Sequence, residues 1–218
     1  MNSNKYESRF FRQSDPKSDK FIFSLPSTWW SRFYEYHWAG MFVEPNDTVL
    51  DAACGISHPF KFFLAGACQE VHACDLDKRI LSPTAILRDI EADFGKEAVD
   101  NFPQHYFRQI QFANTDIAKL PYNNEKFEKV FCISVLEHLP PEAMFSALTE
   151  FKRILKSTGL IILTFDYPTI NLETFRTVVA NAGLSFYEHT VFTLPEDAVC
   201  SDLYGRLYCY RAILKKTI

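Results

Sequence analysis

Three acids, each just past an apolar run and two of them beside small residues, are the groups in this chain best placed to do chemistry. "TVLDAACGISHPFKFF" (48–63) carries Asp51 at the end of an extended stretch, then Ala53, Cys54 and Gly55, then Pro and aromatics. Small side chains let backbone approach a ligand closely, and glycine reaches dihedrals closed to other residues. A helix opening just beyond offers free N–H groups and a positive dipole end, suited to an anion. "EVHACDLD" sets Asp75 24 residues after Asp51. Dinucleotide folds hold ribose hydroxyls with an acid so placed, because one carboxylate accepts from two vicinal hydroxyls. "QFANTDI" puts the acceptor Asp116 beside apolar Ile117, a pairing that suits an adenine amino group and its ring face. "CISVLEHL" contains Ser134, Val135, Glu137 and His138. Histidine titrates near neutral pH, which makes His138 the first candidate base and Glu137 the second.

Plainer readings stand beside these. Asp51 could cap a turn, and Asp75 and Asp116 could be ordinary loop carboxylates. Cys54 reads as small filler, His72 as a structural residue on a strand, and His58 as a cap for the following helix.

The elements that must position these groups alternate. Short apolar or β-branched runs at 48–53, 70–77, 106–116, 129–139, 160–167, 184–192 and 203–214 read as strands. Helices are predicted between most of them. One follows the first bend, with Ser57 near its N-cap and Pro59 in its first turn. "PPEAMFSALTEFKRILKSTG" repeats Met144, Phe145, Leu148, Phe151 and Leu155 at helical spacing, with Gly159 as its expected C-cap. No helix separates the last two strands, which predicts an antiparallel pair at one edge. The fold class is therefore α/β: a three-layer, Rossmann-like sandwich with a mostly parallel seven-stranded sheet ending in that pair. Residues 1–46 are expected to form a tail and helical cap, and 47–218 the main domain. Residues 1–25 read as a poorly ordered tail or a lid. "LPSTWWSRFYEYHWAGMF" predicts a helix beginning at Pro26–Ser27 and stopping at Gly40.

Composition narrows the function. With 218 residues and 47% hydrophobic content the chain can bury one sizeable core. The 21 Phe could thicken that core or wall a pocket for a planar ligand. A formal net charge of −4 with no long Lys/Arg run disfavours a nucleic-acid partner. None of the six Cys forms a C-x-x-C pair, so no metal is expected. No stretch reads as a signal core or membrane span, and reduced thiols in a cytoplasmic protein are the default expectation.

Asp51-x-Ala53-x-Gly55, Asp75, Asp116 and "VFCISVLEHL", in this order on alternating strands, resemble a class I S-adenosylmethionine-dependent methyltransferase over about residues 47–165, and more weakly over the closing strands. Ala53 and Ser57 stand where that family's loop carries its outer glycines. The resemblance implies S-adenosyl-L-methionine as cofactor. Asp51, Ala53, Cys54 and Gly55 would face its methionine part, Asp75 with Leu76 its ribose, Asp116 with Ile117 its adenine, and Ser134 and Val135 its sulfonium. The family's adenine N-methyltransferase signature is absent after the fourth strand. The acceptor is therefore expected to be a small molecule, methylated on O or N. Substrate contacts are expected from Trp30, Tyr34 and His37 on the N-terminal helix and from Asp166 and Tyr167 after the fifth strand. Simple packing onto the sheet accounts for those aromatics equally well. A protein or peptide acceptor, a nucleotide-dependent oxidoreductase and a non-catalytic nucleotide-binding relative are the alternatives; the second lacks its G-x-G-x-x-G run.

Overall fold

Val49, Leu50 and Ala52 are all buried although their side chains leave alternate faces of one strand. Such a strand needs a covered layer on each side, and the computed structural model, which describes residues 5–203 and 205–217, supplies both. In chain order the elements are β1 (Arg9–Phe10), β2 (Lys20–Phe21), β3 (Phe23–Ser24), α1 (Arg32–Gly40), β4 (Thr48–Ala52), α2 (Phe60–Ala65), β5 (Glu70–Asp75) and α3 (Pro83–Phe94). There follow α4 (Lys96–Asp100), α5 (Tyr106–Gln109), β6 (Ile110–Asn114), β7 (Phe127–Ile133), α6 (Pro141–Ile154), β8 (Leu155–Tyr167), α7 (Leu172–Asn181), β9 (Leu184–Phe186), β10 (Cys200–Ser201) and β11 (Leu207–Lys216).

The sheet runs β1-β11-β8-β7-β4-β5-β6, with β9 and β10 also on β11. Strands β6, β5, β4, β7 and β8 are parallel neighbours, and β11 runs antiparallel to β8 and β9. The order reverses between β4, β5 and β7, which puts a crevice above the carboxyl end of β4. The seven expected strands are present, and two-residue β1 and β10 extend the sheet to nine. One face packs on α6 and α7 through Met144, Leu148, Phe151 and Phe175. The other packs on α1, α2 and α3 through Tyr36, Trp38, Phe60, Phe62, Ile86 and Ile90. Each fully buried side chain of this size contributes about 1.5–3 kcal/mol.

Several local expectations change. The segment 5–25 is no loose tail: Phe10 and Phe11 are buried, and Arg9 forks onto buried Asp15 at 2.8 and 2.6 Å. That bidentate pair lets a polar stretch enter the core. Helix α1 starts at Arg32, because β2 and β3 form a small hairpin and Pro26–Ser31 is spent in turns. Residues 106–109 form a helical turn before β6 begins. Ser57 does not cap α2; its hydroxyl donates to Asp93 at 2.5 Å. Gly159 is not a C-cap, since α6 ends at Ile154 and passes directly into β8. A Cβ on Gly159 would come within 2.8 Å of the Glu128 carbonyl, so the close approach of β7 and β8 explains that glycine. No helix among the described residues is long and apolar enough to cross a membrane.

Candidate active site

The bend after β4 reverses twice. Ala53 (φ 53°) and Gly55 (φ 64°) are left-handed, a region open to glycine and strained for alanine. Lys61 on α2 is fully buried and braces this bend from below. Its ammonium donates to the carbonyls of His58 (2.7 Å) and Gly55 (2.8 Å), with Cys54 at 3.5 Å. Burial pushes the Lys61 pKa down, against the pull of Cys54, Asp51 and Asp75. Asp51 is 3% exposed and lines the cleft above, and its Oδ2 has no hydrogen-bond partner. Burial raises its pKa to about 7, with Lys61 opposing and Asp75 adding to the rise.

Asp75 closes β5 beside the bend. Its Oδ2 accepts the Gly55 N–H and its Oδ1 the Asp77 N–H, both at 2.9 Å. A carboxylate has about four acceptor positions, so capacity is left over. Leu76 next to it is 72% exposed. Asp116 is exposed and its Oδ1 accepts the Ala118 N–H at 2.8 Å, while Ile117 is buried in the core below.

Ser134, at the end of β7, is also left-handed (φ 50°). Its hydroxyl donates to Glu35 Oε1 and accepts from Arg32 Nη1, each at 2.7 Å. Glu35 is completely buried; it also accepts from Thr164 Oγ1 at 2.5 Å and pairs with Arg32. Burial alone would raise the Glu35 pKa, but Arg32 and the two hydroxyl donors outweigh it and leave it lowered. Glu35 in turn overcomes burial at Arg32 and holds the guanidinium pKa up. A neighbouring pair completes the wall: the Tyr36 hydroxyl lies 2.6 Å from His58 Nδ1, and the His58 ring stacks on Trp29 at 4.4 Å. Burial, then Arg32 and Lys61, push the His58 pKa well down, so this imidazole is neutral.

Arg32, Tyr36, His58 and Ser134, with Asp51 and the bend after it, line a cleft of about 250 Å³. Of the sequence-predicted residues, Asp51, Ala53, Cys54, Gly55, Ser134, Val135 and His138 line it, His138 at an exposed position. Asp75 is the last residue of β5 with Leu76 next to it, and Asp116 lies two residues past β6, one strand further from β4; none of the three lines this cleft. Glu137 follows the end of β7 with its Oε2 buried and unpartnered; burial, Asp166 and Glu35 raise its pKa to about 8. Asp166 near the end of β8 likewise has an unpartnered Oδ1, and burial with Glu35 raises it to about 6. Tyr167 packs edge-on against Phe10. Trp30 and Tyr34 line a separate surface hollow with Lys17 and Cys200, and His37 does not line the cleft.

Sequence reading missed Arg32, Glu35 and Lys61 as members of the site and took His58 for a helix cap. Residues 32, 35 and 36 share one helical face by their i, i+3, i+4 spacing, which was the available signal. Lys61 stood alone among aromatics, a place where a lysine is buried only with partners.

The wider comparisons agree with this architecture. Residues 50–163, just over half the chain, match the model of the methyltransferase domain family. A probable methyltransferase, ltbC of Aspergillus luteorubrus, is 28% identical over 123 residues, 55% of this chain and 40% of that protein. The match thus spans about two-fifths of the length of that curated relative. A TehB-like SAM-dependent methyltransferase of Corynebacterium glutamicum superposes with a TM-score of 0.59 at 16% identity, covering 84% of this chain and 87% of that one. The [4+2]-cyclase SpnF superposes at 0.62 with 13% identity, over 96% and 87%. With its Rossmann-like sheet and its acid-bearing strand ends, the chain belongs to the methyltransferase domain family.

Proposed function

We propose that the protein transfers a methyl group from S-adenosyl-L-methionine to a small molecule at an oxygen or nitrogen atom. The observation that carries this reading is the juxtaposition of the Asp75 carboxylate, anchored on the Gly55 N–H, with the unpartnered buried oxygen of Asp51. The residues fit the cofactor. Asp75 has acceptor capacity for ribose hydroxyls, exposed Leu76 and the Asp116–Ile117 pair suit a purine, and the Ala53–Gly55 bend leaves room for a methionine tail. Asp51 offers an acceptor for that tail's ammonium, whose positive charge would also lower the pKa of the carboxyl. When bound, the cofactor supplies a methyl group on a positively charged sulfur.

The chain's own contribution is alignment and dryness. Glu35 ties α1 to the ends of β7 and β8, so the first helix roofs the cleft. That roof favours a compact acceptor over a folded protein surface. His138 is the exposed histidine on the cleft lining and is the group proposed to take a proton from the acceptor.

Calorimetric titration tests the reading. S-adenosylhomocysteine should bind and NADH should not; the reverse would reject it. Asp75→Ala should weaken S-adenosylhomocysteine by about 2–3 kcal/mol, the worth of hydrogen bonds to a charged group. A methyl-transfer screen with small phenols, carboxylates and amines then separates O from N acceptors.

A further inference from the structure

Ser134 follows β7 in a left-handed conformation, φ 50°, which a residue with a Cβ keeps only where its surroundings hold it. Its N–H donates to the Thr164 carbonyl at 2.9 Å and to Thr164 Oγ1 at 3.1 Å, which fixes the entry to the bend but not its exit. The hydroxyl supplies the rest. A serine in a turn ordinarily bonds to its own backbone neighbours. This one donates to Glu35 Oε1 and accepts from Arg32 Nη1, each at 2.7 Å, and both partners stand on α1. Glu35 Oε1 also collects the Thr164 hydroxyl at 2.5 Å and the Cys209 thiol at 3.4 Å. One buried oxygen thus gathers donors from β8, from β11 and from the residue after β7. Of the three, Ser134 alone lines the cleft. Beyond it the chain passes through Val135 into a 3₁₀ turn, Leu136–His138, and Val135 and His138 lie on the same lining. Each residue has only two soft dihedrals, so a change of φ at Ser134 redirects Val135 and His138 together.

We infer that Glu35 is a positioning residue for the cleft: through the Ser134 hydroxyl it holds the backbone after β7 left-handed, so the seating of α1 sets where Val135 and His138 stand. Thr164 and Cys209 dock α1 on the sheet, and the Ser134 bond carries that docking into the site. The reach of the carboxylate does the positioning, whereas its charge answers Arg32. Glu35 itself does not line the cleft, so it acts through its neighbour. That Ser134 and Val135 meet the cofactor's sulfur rests on the cofactor reading above; the hold on the backbone does not.

NMR of the ligand-free protein gives the first readout, because the one-bond Cα–Hα coupling reports the sign of φ. Residue 134 should read as left-handed in the wild type and in Glu35→Gln, whose amide oxygen keeps the reach. It should leave that region in Glu35→Asp, which keeps the charge beside Arg32 and draws the oxygen back by one methylene. A role in charge pairing alone gives the opposite order and overturns the inference. Calorimetry gives the second readout, with its stoichiometry counting the folded protein. S-adenosylhomocysteine is compared with adenosine, which lacks the sulfur. Glu35→Asp and Ser134→Ala should each weaken the first ligand about tenfold, the weight of one hydrogen bond, and leave the second unchanged. Ser134→Gly also lacks the hydroxyl but is unstrained when left-handed, so it should lose less than Ser134→Ala. Equal losses in the alanine and glycine variants overturn the inference, as do equal losses for both nucleosides. If Glu35→Asp does not fold, the alanine–glycine comparison decides. A wild type that binds neither nucleoside refutes the cofactor reading instead, and the coupling at residue 134 still judges the positioning.

Discussion

Glu35 Oε1 accepts a hydrogen bond from Ser134 Oγ at 2.7 Å, joining two residues 99 positions apart in the chain. A side chain from the first helix thereby closes over the carboxyl end of the sheet, and Arg32 neutralises it inside the protein. Removing one partner of a buried pair leaves an uncompensated charge, which costs about 3–5 kcal/mol. Glu35→Ala should lose stability on that scale in urea denaturation, and Ser134→Ala about 1–2 kcal/mol for its hydrogen bonds alone. Equal, small effects would mean that α1 is not docked through this pair.

Lys61 is the second internal charge on which the site depends. Lys61→Met keeps the length of the side chain but leaves the carbonyls of Gly55 and His58 without their donor, at about 1–3 kcal/mol each. The variant should be less stable and should bind S-adenosylhomocysteine more weakly, because the bend loses its brace. A folded variant with native affinity would show that the bend holds itself.

Asp51 sets a pH dependence. Its pKa rises from an ordinary carboxylate value near 3.8 when unfolded to about 7 in the folded chain. Between those values the native state binds more protons than the unfolded one, so stability falls as pH rises through that window. The largest loss is about 4 kcal/mol, at roughly 1.4 kcal/mol per unit. Asp51→Asn should remove its share of that loss, so that the variant gains on the wild type between about pH 4 and 7 in paired denaturation curves. Glu137, raised to about 8, contributes in the same direction and remains in both proteins.

Ala53 occupies a left-handed position at φ 53°. An L side chain there costs about 1–2 kcal/mol, against which glycine loses about 0.5–1 kcal/mol of chain entropy on folding. Ala53→Gly should therefore leave the melting midpoint unchanged or slightly raised. A drop of several degrees would show that the methyl group packs usefully at the bend.

The readings that held were local ones. Asp51, Gly55 and Asp75 each lie within a few residues of a strand end, and strand, bend and helix follow one another by patterns that repeat every two or 3.6 residues. Two acids on adjacent parallel strands must reach the same rim, so Asp75 and the bend meet, as the Gly55 N–H bond to Asp75 records. Helix α1 was legible as a helix, but not the face it presents. Periodicity made Trp30 and Tyr34 look like cleft residues, whereas they line a different hollow and Arg32 and Tyr36 face the cleft. The N-terminal stretch was misread for a similar reason: Arg9 and Asp15 are ordinary surface types until each finds the other in the interior.

The amino-acid pattern by itself determined an alternating α/β chain with acids at three strand exits and a thin bend after the first, because strand and turn chemistry acts between near neighbours. Only the folded arrangement decided which charges go inside. Burying Glu35 is unfavourable by itself and becomes tolerable, beside Arg32, through Ser134 and Thr164, 99 and 129 positions away. Such partners are chosen by how layers stack, and no short stretch of sequence carries that information.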